Sequence, residues 1–143
     1  MGYGSAMKLG INRKTSWRTQ VEKLALRLDK VIPSDLSLLD DAVAEITGAM
    51  DRTACWNDVE SIGLAVREAV ANAIVHGNHY EPEKTVRVSV ALYENRDLFI
   101  VVKDSGSGFD PRRLPDPVAA ENLLAKHGRG IFLMKQLMDE VDF

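Results

Sequence analysis

The chain has 143 residues, 45% hydrophobic and 27% charged, a composition and length suited to one globular domain rather than a disordered or fibrous chain. With 18 Lys and Arg against 21 Asp and Glu the net charge is −3, so no global basic field supports nucleic-acid binding. The single cysteine, Cys55, excludes an intrachain disulfide and points to a reducing, cytoplasmic setting, and no apolar run approaches the roughly 18 residues that span a bilayer.

Residues 1–16 show no hydrophobic period and read as a flexible or vector-derived lead-in. Leu24, Leu26 and Leu28 then alternate with Ala25, Arg27 and Asp29, the period of a strand. Pro33-Ser34 breaks that pattern, with Ser34 placed to cap a following helix. Leu36, Leu39, Val43, Ile46 and Met50 recur at three- and four-residue spacing, which predicts an amphipathic helix over about 34–51.

A second helix is predicted over about 57–77, opened by Trp56 or Asn57. From Ile62 to Val75 only Arg67, Glu68 and Asn72 are polar, so this helix is expected to be buried. Glu68 and Asn72 stand four apart and share one face. A carboxylate in such surroundings needs a partner or a chemical role. Arg67 is one candidate partner. His76-Gly77-Asn78 reads as the helix end, with the glycine in the left-handed position.

A hairpin follows. Val86, Val88, Val90 and Leu92 alternate with Arg87, Ser89 and Ala91, and Glu94-Asn95-Arg96 turns the chain. Leu98 to Val102 is a nearly continuous apolar strand, expected to be covered on both faces or nearly so, and it delivers Asp104 at its end. Residues 109–127 hold Pro111, Pro115 and Pro117 and read as a loop. Ile131, Met134, Leu137, Met138 and Val141 mark a last helix over about 130–140.

Three short segments carry recognisable chemistry: Glu68 to Gly77, Asp104-Ser105-Gly106-Ser107-Gly108-Phe109, and Gly128-Arg129-Gly130-Ile131. Glycines at turns and helix starts let backbone N–H groups approach phosphates with no Cβ in the way. Gly128 and Gly130 precede the last helix, whose positive dipole end would face an anion. Magnesium is held by one or two protein oxygens plus phosphates and water, and Asn72 offers a neutral oxygen. Each glycine pair alone reads more readily as an ordinary turn. His76 and His79 form an H-x-x-H, but neither Cys55 nor His127 lies close enough in sequence to complete a zinc site.

The joint order of the three segments resembles the ATP-binding domain of the gyrase, heat-shock chaperone, histidine kinase and MutL superfamily. Glu68 to Gly77 matches its N box, Asp104 to Phe109 its first glycine box, and Gly128 to Met134 its second. The resemblance covers residues 17–143. Within that superfamily the chain is most similar to bacterial anti-sigma-factor serine kinases. Glu-Ala-x-x-Asn-Ala-x-x-His-Gly reads like their N box, the 109–127 lid is short, and Leu133 to Val141 is similar to their last helix.

The resemblance implies a Bergerat-type α+β two-layer sandwich, a mixed, mostly antiparallel sheet covered on one face by helices. The family's closing C-terminal strands are expected to be missing. It implies ATP and Mg2+ as cofactors. Glu68 would take the proton from an attacking serine hydroxyl, and Asn72 would hold the metal. Asp104 would accept from the adenine amino group. Gly106 and Gly108 would let the chain pass close to the nucleotide, and Gly128, Arg129 and Gly130 would meet the phosphates. The partners it implies are a small anti-sigma antagonist carrying the acceptor serine, a sigma factor, and a second copy of the chain. Two other readings stand beside it: the ATP-binding domain of a histidine kinase, and a non-catalytic partner-binding regulatory domain. The first needs an acceptor histidine elsewhere, because His76, His79 and His127 all fall inside or beside the nucleotide segments.

Overall fold

The structure is a computed structural model and describes residues 6–11, 23–54, 56, 58–106, 138 and 140–142. Its elements in chain order are β1 (Ala6–Ile11), β2 (Leu24–Pro33), a 3-10 turn (Leu36–Leu38), α1 (Leu39–Asp51), α2 (Val59–Asn72), a π turn (Ala73–Gly77), β3 (Thr85–Tyr93), β4 (Leu98–Lys103) and β5 (Glu140–Asp142). The strands form one five-stranded sheet in the order β2-β3-β4-β1-β5. Every described ladder is antiparallel.

The alternation in the hairpin fixes which face carries the helices. Val86, Val88, Val90 and Leu92 on β3 stand beside Val102, Ile100 and Leu98 on β4, and all are buried. Ile46 and Met50 from α1, and Ile62, Val66, Val70 and Ile74 from the second helix, fill the space above them. The opposite face of the sheet is open: Phe99 is 46% exposed and meets Tyr93 edge to face. Among the described residues Leu98–Lys103 is fully covered on one face and only partly on the other, where Val101 is half-buried and Phe99 exposed, although its sequence reads as a strand buried on both or nearly so. A nearly continuous apolar run does not distinguish the two cases when one face carries an aromatic pair. The expected α+β two-layer fold is present.

Two terminal expectations are corrected. Residues 1–16 were read as a lead-in, but Ala6–Ile11 is a strand lying between β4 and β5. Met7 and Leu9 are buried opposite Val102 and Ile100. The alternation Met7-Lys8-Leu9 is too short to register as a period, and only the free edge of β4 gives it a partner. Val141 was placed on the last helix, but Glu140–Asp142 pairs with β1 as a strand. Met138, also expected on that helix, is buried but belongs to no helix; the other residues of 130–139 lie outside the described residues, as does the 109–127 loop.

The helix starts also differ from the sequence reading. Asp35, not Ser34, caps the first turn, accepting from the Ser37 backbone N–H at 2.9 Å and its hydroxyl at 2.7 Å. Asp58, not Trp56 or Asn57, caps α2 through the N–H and hydroxyl of Ser61. The seryl hydroxyls first, then the backbone N–H groups, hold both carboxyls below the usual aspartate value. Arg67 pairs with Asp40 across the α1–α2 contact, so it is not engaged as the charge partner of Glu68. The outer stripe of α2 is exposed at Leu64 and Arg67, and its other face is core.

Candidate nucleotide site

The second helix ends in an unusual way, and the site is built on that end. After Asn72 the chain widens by one residue per turn. The Asn78 N–H reaches back five residues to the Ala73 carbonyl at 2.8 Å, and the Tyr80 N–H reaches six back to Ile74 at 3.0 Å. Such π turns interrupt α-helices mostly at functional sites. The turn carries Gly77 inward, against the end of β4.

Gly77 is a glycine because Asp104 lies against it. A Cβ there would fall on the Asp104 carboxylate and sit 2.9 Å from its Cβ. Gly77 is not in the left-handed region, which corrects its reading as a left-handed cap. The left-handed residues are His79 (φ 50°) and Tyr80 (φ 58°). Gly106 is constrained more tightly still. A Cβ there would fall on the Gly77 backbone carbonyl and lie 3.2 Å from Oδ1 of Asp104. The close approach that Gly106 permits in the described structure is therefore to Gly77.

Asp104 is only 5% exposed. Its Oδ1 accepts from the Gly106 N–H at 2.8 Å, folding the turn back on the strand end. A buried carboxylate fixed by a backbone donor and walled by two glycines is a preset acceptor for a ligand donor.

Asn78 ties this turn to the rest of the fold, and it was missed as a functional residue. It is fully buried. Its Oδ1 accepts from the Ser105 N–H at 2.8 Å, and its Nδ2 donates to Ser34 Oγ at 2.7 Å and to the Thr85 carbonyl at 3.0 Å. Ser34, expected as a helix cap, instead donates its hydroxyl to the Lys84 carbonyl at 2.8 Å. The signal available in sequence was an asparagine directly after His-Gly, where a solvated helix end would be the ordinary reading.

Glu68 and Asn72 lie one turn apart at the end of α2, both partly buried. The Asn72 Nδ2 is buried and finds no hydrogen-bond partner among the described residues. An amide in that condition is costly unless a ligand satisfies it. Its oxygen and nitrogen are interchangeable by a flip, so the same side chain could offer a metal an oxygen or a phosphate a donor. The chemistry of the donor set and the glycine-walled turn fit a magnesium–nucleotide group. Of the other expected site residues, Gly108, Gly128, Arg129 and Gly130 lie outside the described residues. The structure brings Gly77, Asn78, Asp104 and Gly106 together, and places Glu68 and Asn72 on the helix that delivers Gly77. No group of three or more His, Cys, Asp or Glu among the described residues could hold a metal on its own. None of the described helices is long and apolar enough to cross a membrane.

Comparison with known proteins agrees with this geometry. Residues 32–143 match the family model of the histidine kinase-like ATPase domain. The chain belongs to that family. Within it, the chain is similar to serine-protein kinases and an anti-sigma factor. Serine-protein kinase RsbW of Bacillus velezensis is 30% identical over 121 residues, covering 80% of this chain and 75% of the relative. Anti-sigma F factor of Clostridium acetobutylicum is 33% identical over 101 residues, covering 69% of this chain and 68% of the relative. The RsbW of Bacillus licheniformis is 38% identical over 94 residues, which is 60% of this chain and 57% of that protein. The chain is thus a member of the anti-sigma-factor serine kinase group of histidine kinase-like ATPase domains.

Proposed function

We propose that this chain is an ATP-dependent protein serine/threonine kinase and anti-sigma factor. It phosphorylates a small anti-sigma antagonist on a serine and sequesters a sigma factor, working as a homodimer. The observation that carries the reading is the buried Asn72 Nδ2, one helical turn beyond Glu68 and without a hydrogen-bond partner among the described residues. Sequestration alone would need no carboxylate beside a ligand-hungry amide. Relatives named both as serine-protein kinases and as an anti-sigma factor support the two halves of the function.

Bound ATP would supply the phosphoryl group, and bound magnesium the positive charge that neutralises its oxygens. The residues of this chain position and deprotonate. Glu68 would accept the proton that the serine hydroxyl releases as its oxygen bonds to the γ-phosphorus of ATP, whose bond to the β-phosphate oxygen breaks so that ADP leaves. Asn72 would hold the metal through its amide oxygen. Asp104, fixed by the Gly106 N–H, accepts from the adenine amino group. Gly106 and Gly108 would let the chain pass close to the nucleotide, and Gly128, Arg129 and Gly130 would meet its phosphates from the lid side.

The test is phosphate transfer to a candidate antagonist domain with labelled ATP and magnesium. Glu68→Gln should keep nucleotide affinity and sigma binding while transfer falls roughly 10²–10⁴-fold. Asn72→Ala should lose nucleotide binding and transfer together. Normal transfer by Glu68→Gln would make Glu68 structural and leave the non-catalytic binding module as the better reading.

A further inference from the structure

From the geometry around Asn78 we infer that this residue is a positioning residue for base selection: its side chain sets the Asp104–Gly106 turn in the pose that reads the nucleotide base. The inference rests on the assignment of Asp104 to the adenine amino group. Three observations support it. Asn78 is fully buried, and all its side-chain bonds go to other elements. Its amide nitrogen is anchored on the fixed side, to Ser34 at the end of β2 and to the Thr85 carbonyl at the start of β3. Its oxygen holds the turn itself, through the N–H of Ser105, the residue between Asp104 and Gly106.

This arrangement has a direction. The anchored end is built from two strands whose ladder runs from Leu24 to Pro33 against Tyr93 to Thr85, so it does not shift with the turn. The held end is a bend whose own internal bond is the short Gly106-to-Asp104 contact. That contact keeps the carboxylate on its own turn, and the Asn78–Ser105 bond ties the turn to the helix end. It is reinforced by the Ser105 hydroxyl, which donates to the same Thr85 carbonyl at 3.2 Å. Without Asn78 the turn keeps its packing against Gly77 and its Ser105–Thr85 bond but loses the directional bond that sets its registration. Base discrimination depends on an acceptor placed to within a fraction of an ångström.

The left-handed pair His79 and Tyr80 fits the same picture. Each holds a left-handed backbone that side chains other than glycine disfavour. The strain follows from turning the chain abruptly after Asn78, so that its side chain points back into the fold while the chain leaves toward β3. The Glu81 N–H closes that turn on the Asn78 carbonyl at 3.0 Å.

The experiment is calorimetric titration of the full chain with ATP and with GTP, in magnesium, for wild type, Asn78→Ala and Ser34→Ala. Ser34→Ala removes the anchor-side hydroxyl and leaves the Asn78–Ser105 bond, so it controls for lost stability. Asn78→Ala should weaken ATP about tenfold or more and bring the ATP-to-GTP affinity ratio toward one, as Asp104→Asn does. Ser34→Ala should lower the unfolding midpoint yet keep the ratio within about twofold of wild type. A ratio unchanged in Asn78→Ala, with wild type binding ATP, overturns the inference and leaves the kinase reading intact. Absence of ATP binding by wild type overturns the kinase reading itself. If Asn78→Ala does not fold, hydrogen exchange of nucleotide-free wild type decides. The Ser105 amide should exchange at least about a hundredfold slower than an open loop amide. Exchange at the unprotected rate overturns the inference.

Discussion

The same substitution, glycine to alanine, should have opposite effects at three places in this chain. At Gly106 the added Cβ falls on the Gly77 carbonyl, a backbone atom that cannot rotate away. Restoring an ordinary contact distance needs a shift of roughly 1 Å or more. That shift separates Gly106 N–H from Asp104 and Ser105 N–H from Asn78. The first is a bond to a charged group, worth about 1.5–3 kcal/mol, and the second about 0.5–1.5 kcal/mol. Gly106→Ala should therefore cost about 2–4 kcal/mol and abolish nucleotide binding. Gly77→Ala meets the Asp104 side chain rather than backbone. It should cost about 1–3 kcal/mol, as overpacking does. Gly48 lies in α1, and a Cβ there finds only Arg52 Nη1 at 3.6 Å. Gly48→Ala should stabilise by about 0.5–1 kcal/mol, because a helical glycine costs more chain entropy than alanine. Urea unfolding of the three variants reads all of this in one assay. Shifts of about 3–5 °C per kcal/mol are expected in parallel thermal scans. A loss below about 1 kcal/mol at Gly106, or a loss no larger than at Gly77, would refute the close-packed turn.

Further outcomes follow from the same structure. Asp104→Asn should weaken ATP by about 1.5–3 kcal/mol, or roughly 10- to 150-fold, with the preference for ATP over GTP reduced; calorimetry with both nucleotides measures it. His79→Gly should raise stability by about 0.5–1 kcal/mol, since φ is 50° there and glycine adopts it without strain; a stability loss in urea melts would count against the left-handed conformation. Asp35 and Asp58 carry carboxyls held below the ordinary aspartate value by Ser37 and Ser61. Their caps contribute fully above that value, and the contribution is lost as pH falls through it and below, because the unfolded chain then binds more protons. Asp58→Asn keeps a capping side chain without that titration. Its stability should fall less between pH 5 and pH 2.5 than that of wild type, and an equal fall would show that the Asp58 cap is absent in solution.

What was legible in the sequence is what depends on neighbours along the chain. Val86 to Leu92 alternates because one face of β3 is core, and α2 reads as largely buried because one of its faces is core. Asp104 was legible as a strand end because a run of apolar residues stops there. What was not legible depends on partners far away. Asn78 meets Ser34 across 44 residues and Ser105 across 27, and no local period encodes either distance. Ser34 reads as a cap because a serine after a proline usually is one. The competing acceptor, Asp35, is one residue on and takes the role, which frees Ser34 for the buried network. Gly77 was legible as a glycine at a helix end but not for the right reason. Left-handed geometry and contact with an aspartate demand the same residue type.

The end of α2 breaks three local rules at once. The helix widens into a π turn, two non-glycine residues take left-handed angles, and an amide nitrogen is buried without a partner among the described residues. In a segment serving stability alone, each would be unfavourable and easily removed by substitution. Their concentration between Asn72 and Tyr80 argues that this segment is shaped by what it binds, since local violations gather where function opposes packing. Asn78 is the compensation: its three bonds recover part of what the strained turn costs, and they do so by tying the turn to Ser105. The strain and the positioning are therefore one device. A variant that relaxes the turn, such as His79→Gly, should gain stability without gaining affinity, because the contact that orders the Asp104 turn is already made by Asn78.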